Sequence, residues 1–202
     1  MRKQAWAFLL VGFIIGFGAL YTWTKKRAPD IVRAIPVPVE SLGPAGSVSG
    51  PGPEEPPPPP LDTARLQQLE TELKNNPKNI EALTELGNMH FDQKNYPQAI
   101  DLYKKVLELQ PGNVEVSTDI GTALFYSNHF DEAIAQFRKT LGLDPNHPRT
   151  LFNLGVALLH GKNDALGAIQ AWERLVQNNP NFPQVDLVKE QIRLLKEREK
   201  KP

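Results

Sequence analysis

The sequence predicts an all-α protein in three parts: a single transmembrane helix, a proline-rich linker and an array of helical hairpins. Three observations support this prediction. Nineteen consecutive residues near the N-terminus are uncharged, ten prolines fall within the 25 residues from 36 to 60, and several residue types recur every 34 or 35 positions after that. We expect the boundaries of the three parts at 1–28, 29–60 and 61–202.

The uncharged run covers residues 5–23. At about 1.5 Å per residue it forms a helix roughly 28 Å long, close to the ~30 Å thickness of a bilayer core. Trp6 lies near one end and Tyr21 and Trp23 near the other, where interfacial aromatic side chains are enriched. A cleaved signal peptide is the alternative, but its apolar stretch is usually shorter. We therefore expect a single-pass membrane protein held by residues 5–23.

Basic residues flank the run on both sides, so the positive-inside rule is nearly balanced. A short basic N-terminus before a first span is typical of a signal anchor that exports the rest of the chain. We therefore expect a bacterial inner membrane with the hairpin array in the periplasm. Gly12 and Gly16 form one GxxxG step, which predicts a homodimer if this face packs against a second helix. Glycine is common in membrane helices, and the alternative is that this spacing has no such role.

The linker contains ten Pro and four Gly between residues 36 and 60, with no Lys or Arg, and ends in the five prolines Pro56–Pro60. Proline lacks an amide donor and disfavours helix in the residue before it, so regular structure is excluded. The linker should be an extended, partly polyproline II spacer of at most about 80 Å. A proline-rich ligand for another protein's groove is the alternative.

Composition excludes several functions. The formal net charge is zero, which argues against a nucleic-acid binder, and the absence of Cys removes disulfides and thiolate chemistry. The four histidines, His90, His129, His147 and His160, lack the spacing of a helical metal site. Residues 155–163 resemble a phosphate loop, but lack Ser or Thr after Lys162 and fall within a repeat helix. We expect no catalytic, cofactor or metal site, and no enzyme activity.

The internal repeat is the main signal for the fold. Four series recur at 34 or 35 residues: Gly87, Gly121, Gly155; Pro77, Pro111, Pro145, Pro180; Ala99, Ala133, Ala168; and Tyr103, Phe137, Trp172. The one additional residue lies between Gly155 and Ala168, and we expect it in the turn at 161–164. Asn95, Asn128 and Asn163 are the expected turn residues in the middle of each unit.

These motifs resemble the tetratricopeptide repeat family. The matching residues are Leu86-Gly87, Ala99-Ile100, Tyr103 and Pro111 in the first unit; Ile120-Gly121, Ala133-Ile134, Phe137 and Pro145 in the second; and Leu154-Gly155, Ala168-Ile169, Trp172 and Pro180 in the third. We expect a solenoid with repeats at 80–113, 114–147 and 148–182. A half-repeat at 61–77 and a capping helix at 183–200, with the stripe Val185, Val188, Ile192 and Leu195, should cover its ends.

The resemblance also implies a concave groove, lined by the first helix of each unit, that holds a peptide or a partner helix. Its implied positions include the acidic residues Glu81, Glu85 and Glu115. The site residues we expect to contact a partner are Thr84, Asn88, Phe91, Asp92, Thr118, Asp119, Thr122, Phe125, Tyr126, Arg149, Phe152, Asn153, Val156 and Leu159. For each aromatic residue, contact with a partner and packing between units are both open.

Our hypothesis for the partner is a protein or peptide segment with apolar and basic character. The implied groove carries acidic residues concentrated in the first two units, and an aromatic and aliphatic stripe formed by Phe91, Phe125, Tyr126, Phe152 and Leu159. Chaperone-binding members of the family hold a C-terminal carboxylate with a set of Lys, Asn and Arg residues. Only Asn88 fits that set well, with Arg149 a partial match, and Asp119 would repel a carboxylate. We therefore do not expect a carboxylate clamp.

The order of anchor, linker and repeats, together with residues 168–173 (AIQAWE), is similar to subunits of bacterial cytochrome c maturation. This similarity implies a membrane-anchored interaction module that assembles or chaperones an envelope complex. The alternative is a structural scaffold subunit of a secretion, pilus or outer-membrane assembly machine.

Overall fold

The computed structural model describes residues 60–199, and these residues form an all-helical solenoid without strands. The α-helices of this part of the chain are α1 (Thr63–Asn75), α2 (Ile80–Asp92), α3 (Tyr96–Leu109), α4 (Val114–Tyr126), α5 (Phe130–Leu143), α6 (Pro148–Val156), α7 (Ala165–Asn178) and α8 (Val185–Glu199). A short π-helical turn, Ala157–Gly161, follows α6 directly. The pairs α2–α3, α4–α5 and α6–α7 are helical hairpins.

The expected transmembrane helix at residues 5–23, the Gly12–Gly16 step and the linker up to residue 59 lie outside the described residues. Between residues 60 and 199, no helix is long and apolar enough to cross a membrane.

Side-chain caps explain where several helices begin. Asn79 accepts a hydrogen bond from the backbone N–H of Ala82 at 3.2 Å, and Asn113 accepts one from Val116 at 3.0 Å. Each cap satisfies one of the amide donors that a helix N-terminus leaves without a backbone partner. In the third unit Pro148 opens α6 instead, with no side-chain cap from His147. The three helix starts thus repeat at 34 residues with different local chemistry.

The turn inside each hairpin contains one residue in the left-handed region: Lys94 (φ 60°), Asn128 (φ 62°) and Asn163 (φ 53°). All three asparagines expected in the turns lie between the helices of a hairpin. In the first unit, however, Lys94 takes the left-handed conformation, and Asn95 follows it immediately before α3 begins. Lysine adopts positive φ less readily than asparagine, so Lys94 is the less favourable residue for this place in the turn.

The additional residue of the third unit lies in the helix and not in the turn. The backbone N–H of His129 bonds the carbonyl of Leu124, five residues earlier, whereas Asp164 bonds Leu158, six residues earlier, both at 2.9 Å. The π-helical turn Ala157–Gly161 holds the extra residue, so the left-handed turn at Asn163 keeps the length seen in the other units. The expected placement at 161–164 is corrected accordingly.

The repeated glycines lie against the repeated aromatic rings. A Cβ added at Gly87 would lie 2.7 Å from a ring carbon of Tyr103, one at Gly121 2.4 Å from Phe137, and one at Gly155 2.1 Å from the indole nitrogen of Trp172. Such distances are too short for any side chain without movement of the ring. The glycines therefore set how closely the two helices of each hairpin approach.

Both end helices bury an apolar stripe. Leu69 of α1 is fully buried in the same core as Leu83 and Leu86 of α2. On α8, Val188, Ile192 and Leu195 are buried, while Val185 is half-buried. These contacts cover apolar surface that the hairpins at each end would otherwise expose.

Candidate partner-binding face

The expected contact residues divide into two groups by burial. Exposed or half-buried are Thr84, Asn88, Phe91 and Asp92 on α2, and Phe125 and Tyr126 on α4. Buried are Thr118, Asp119, Thr122, Arg149, Phe152, Asn153, Val156 and Leu159. The structure therefore places the accessible part of the expected groove on the first unit and at the C-terminal end of α4. Contact of any of these residues with a partner stays a prediction.

An ion-pair network around the buried Arg149 joins the first helices of the second and third units. Arg149 on α6 lies 2.6 Å from the carboxylates of both Asp119 and Glu115 on α4, and also donates to the carbonyl of Glu115 at 2.9 Å. The ring of His147 contacts Glu115 at 2.9 Å and the hydroxyl of Thr150 at 2.7 Å. Two of the acidic groups expected to attract a cationic partner are thus already compensated within the chain.

Burial and hydrogen bonding shift the pKa values in this network. The hydrogen bond from His147 is the main reason that the pKa of Glu115 falls from 4.5 to about 2; partial burial opposes this shift and Arg149 adds to it. For Arg149, burial alone would lower the pKa, but Asp119 and Glu115 outweigh it and raise the pKa. Both residues therefore stay charged over the physiological range.

Hydroxyl and amide groups extend this contact between α4 and α6. The hydroxyls of Thr118 and Thr150 lie 2.7 Å apart, and the amide of Asn153 donates to the hydroxyl of Thr122 at 3.0 Å. All four side chains are 0–1% exposed. The side chains at the buried groove positions of these two units thus form hydrogen bonds with the neighbouring unit. We call these hydrogen bonds, together with the Arg149 network, the polar seam.

Half-buried aromatic rings cluster at the edge of the solenoid where the hairpin turns lie. Phe91, Tyr96 and Tyr126 are in mutual contact, with ring centroids 5.4–5.8 Å apart, and the rings of Tyr96 and Tyr126 are stacked with an interplanar angle of 15°. Phe125 contacts Tyr126 at 5.8 Å and Phe130 at 5.4 Å. These five rings form the aromatic cluster, which continues from the first unit into the second.

Sequence reasoning placed three rings of this cluster in the groove but missed Tyr96 and Phe130. Both open the second helix of a hairpin, two residues after the left-handed residue of the turn. Their spacing of 34 residues was the available signal. It was overlooked because the resemblance assigns the groove to the first helices alone.

In the third unit, the expected contact residues pack against the rest of the fold. Phe152 is 3% exposed and its ring lies near Trp172 and Phe182, with centroids 6.5 and 5.8 Å away. The indole N–H of Trp172 donates to the carbonyl of Phe152 at 3.0 Å. Phe152 and Leu159 also line a small apolar pocket together with Leu187 and Val188 of α8. The last helix thus packs on residues of this unit that the sequence predicts to contact a partner.

Two sites considered from the sequence have structural contacts of their own. Lys162, in the segment 155–163 whose sequence resembles a phosphate loop, forms an ion pair with Asp131 at 2.8 Å. Asn88, the best match to a carboxylate clamp, accepts a hydrogen bond from the Tyr103 hydroxyl at 2.8 Å. Among the residues from 60 to 199, no group of three or more His, Asp or Glu side chains is arranged to hold a metal ion.

Comparison with known families supports the repeat assignment. Two family models described as tetratricopeptide repeat match residues 80–113 and 118–183. They indicate no catalytic family. No curated protein sequence matches the chain significantly.

Solved structures with the same fold are numerous and distant in sequence. The crystal structure of MamA is 22% identical with a TM-score of 0.54, covering 66% of this chain and 86% of that one. The first TPR of Spaghetti (RPAP3), bound to the HSP90 peptide SRMEEVD, is 23% identical with a TM-score of 0.54, covering 60% and 94%. The Yersinia enterocolitica type III secretion translocator chaperone SycD is 19% identical with a TM-score of 0.55, covering 60% and 95%. At these identities the similarity shows the fold alone.

Proposed function

The chain belongs to the tetratricopeptide repeat family, and from this premise we propose that it is a protein-interaction module without enzymatic activity. The proposal is based on the observation that six of the expected contact residues, on α2 and α4, are exposed or half-buried, whereas the others are buried in the fold. Two proteins of the same fold support it by their own partners: one is bound to an HSP90 peptide and another is a translocator chaperone.

The partner we propose is an apolar polypeptide segment with basic residues. The half-buried rings Phe91, Phe125 and Tyr126 offer apolar contact, and the carboxylates of Glu81 and Asp92 lie exposed on the same helix as Phe91. Aromatic anchors with a polar rim are the usual composition of a protein interface. Glu115 and Asp119 contribute less attraction, because Arg149 neutralises them.

Selection from a random peptide library on the full chain in detergent micelles tests this proposal. We expect enriched peptides with aromatic or aliphatic residues and Lys or Arg, whose binding weakens at least about tenfold in Phe125→Glu and severalfold in Asp92→Lys, because one buried contact is worth about 1–2 kcal/mol. Asp119→Lys is unsuitable here, since it would break the buried pair with Arg149. Leu143→Glu, at an apolar residue 50% exposed on α5, is the matched control. Peptide binding that survives both groove variants would refute the proposal.

We further propose that residues 5–23 anchor the module in a bacterial inner membrane with the repeats in the periplasm. The support is the uncharged length of the run and its aromatic ends. Protease treatment of intact spheroplasts carrying a C-terminal tag tests it. Digestion from outside supports the periplasmic side, whereas protection until lysis places the repeats in the cytoplasm.

A role in cytochrome c maturation is a narrower proposal within the periplasmic one, supported by the similarity of residues 168–173. Its test is deletion of the gene, followed by measurement of covalent haem proteins. Unchanged haem-protein levels would remove this role and leave the interaction module in place.

A further inference from the structure

The start of the first helix places Pro60, the last residue of the proline run, close to the aromatic cluster. Helices α1 and α2 are antiparallel neighbours joined by residues 76–79, and Arg65 Nε donates to Glu85 at 2.6 Å. Pro60 precedes Arg65 by five residues, and His90 follows Glu85 by five, so the two lie at about the same level of the pair. The chain therefore enters the solenoid at the end of α2 where Phe91 lies.

The distance from this entry point to the cluster is short. Packed helices lie about 8–10 Å apart, and a run of five prolines in polyproline II conformation spans about 15 Å. The residues directly before Pro60 can thus reach Phe91 and the rings it contacts, Tyr96 and Tyr126. Because the run is joined to the surface by a few residues, its effective concentration there is in the millimolar range, so even a weak contact is substantially occupied.

The chemistry of the cluster matches a polyproline run. Such a run presents flat apolar rings and carbonyl acceptors, but it has no amide donors. Surfaces that recognise polyproline runs are often lined by aromatic rings. The ligand is already rigid, so it loses little conformational entropy on binding. The stacked Tyr96 and Tyr126 supply parallel ring faces together with hydroxyl groups. Phe91 closes one side with an edge-on contact to both.

We propose that Pro56–Pro60 of this chain docks on the part of the aromatic cluster formed by Phe91, Tyr96 and Tyr126. The docked run covers one end of the partner-binding face, so a partner must displace it; this second step rests on the proposed function. The linker then acts as an internal competitor as well as a spacer.

Site-specific photo-crosslinking on the full chain in detergent micelles tests the docking. With benzoyl-phenylalanine in place of Tyr96, we expect a crosslink within one chain to the peptide that contains residues 51–60. The same probe at Lys105, exposed on α3, should give no such crosslink. A probe at Gln93, in the turn between Phe91 and Tyr96, repeats the test if the Tyr96 variant does not fold.

Replacement of Pro56–Pro60 by Gly-Ser-Gly-Ser-Gly should reduce the crosslink yield at least about fivefold, because the rigid apolar rings are lost. An unchanged yield would overturn the proposal. Crosslinks that join two chains would overturn it in favour of a second copy, and crosslinks only to detergent or to other parts of the chain would also overturn it.

The competition step has its own readout. A peptide selected on the wild-type chain should bind the Gly-Ser variant severalfold more tightly, since no internal ligand must leave. Equal affinity together with a positive crosslink would refute the competition but leave the docking supported. Absence of any selected peptide, with the crosslink still formed, would count against the proposed function alone.

Discussion

The buried pair of Arg149 and Asp119 should be the most costly polar contact to break. The substitution Arg149→Met keeps an unbranched apolar side chain but removes the guanidinium that lies 2.6 Å from the Asp119 carboxylate, and the Asp119 side chain is only 9% exposed in the wild-type chain. Removing one partner of a buried ion pair costs about 3–5 kcal/mol. For the array, this corresponds to a fall in melting temperature of about 10–20 °C.

The matched control is Arg193→Met on α8. Arg193 also contacts two carboxylates, Glu190 and Glu197, both at 2.6 Å, but its side chain is 54% exposed. Because exposed ion pairs contribute little, we expect almost no change in stability for this variant. The two substitutions are chemically identical, so the difference between them isolates the effect of burial.

Thermal unfolding followed by circular dichroism at 222 nm, and urea titration, measure both variants on the full chain in detergent micelles. Urea is chosen because guanidinium would screen the charges. The double variant Asp119→Leu with Arg149→Met should recover most of the loss, since an apolar pair can replace a buried ion pair at similar stability. If Arg149→Met were no more destabilising than Arg193→Met, the polar seam would not hold the two units together.

Three further predictions test the fold. Gly155→Ala should destabilise the fold by about 1–2 kcal/mol and Gly87→Ala by less, because overpacking costs about 1–3 kcal/mol while the higher helix propensity of alanine offsets up to about 1 kcal/mol. Gly142→Ala is the control, since a Cβ there would meet nothing within 4 Å. An equal change in thermal unfolding at all three sites would contradict the packing. The lowered pKa of Glu115, about 2, means that its stabilisation is present above about pH 4.5 and is lost as the pH falls towards 2; Glu115→Gln should therefore flatten the acid side of the stability profile by about 1 kcal/mol or less, because the side chain is 57% exposed. Asn113→Ala should cost about 1 kcal/mol in urea titration through loss of the α4 cap, and no change would show that the cap contributes nothing.

The repeat made much of the fold predictable. Four residue types at a spacing of 34 or 35 predict helical hairpins because each type has one physical role: glycine permits close approach, the aromatic ring fills the resulting contact, and proline ends a unit. In the structure, Gly87 lies against the ring of Tyr103. The all-helical solenoid is thus confirmed for residues 60–199.

The turn inside each hairpin has the same length in every unit. Lys94 takes positive φ because it holds the same place in this turn as Asn128 and Asn163. The extra residue enters the helix as a π-helical turn, which keeps this turn length. A turn in which each residue has a set conformation admits an insertion less easily than a helix, which can take up one extra residue as a π-helical turn.

Which groove positions stay accessible could not be predicted from periodicity, because it depends on how closely consecutive first helices approach. Threonine and asparagine at positions 118, 122, 150 and 153 look like solvent-facing residues in a sequence, yet they are small enough to let α4 and α6 pack together and polar enough to pair across the contact. Their spacings of 31 and 32 residues between the partners were the available signal. Thr84, which holds the place of Thr118 in the first unit, donates its hydroxyl hydrogen bond to the carbonyl of Ile80 in its own helix. The polar seam therefore explains why the expected contact residues between α4 and α6 are buried, whereas the exposed or half-buried ones lie on α2 and at the end of α4.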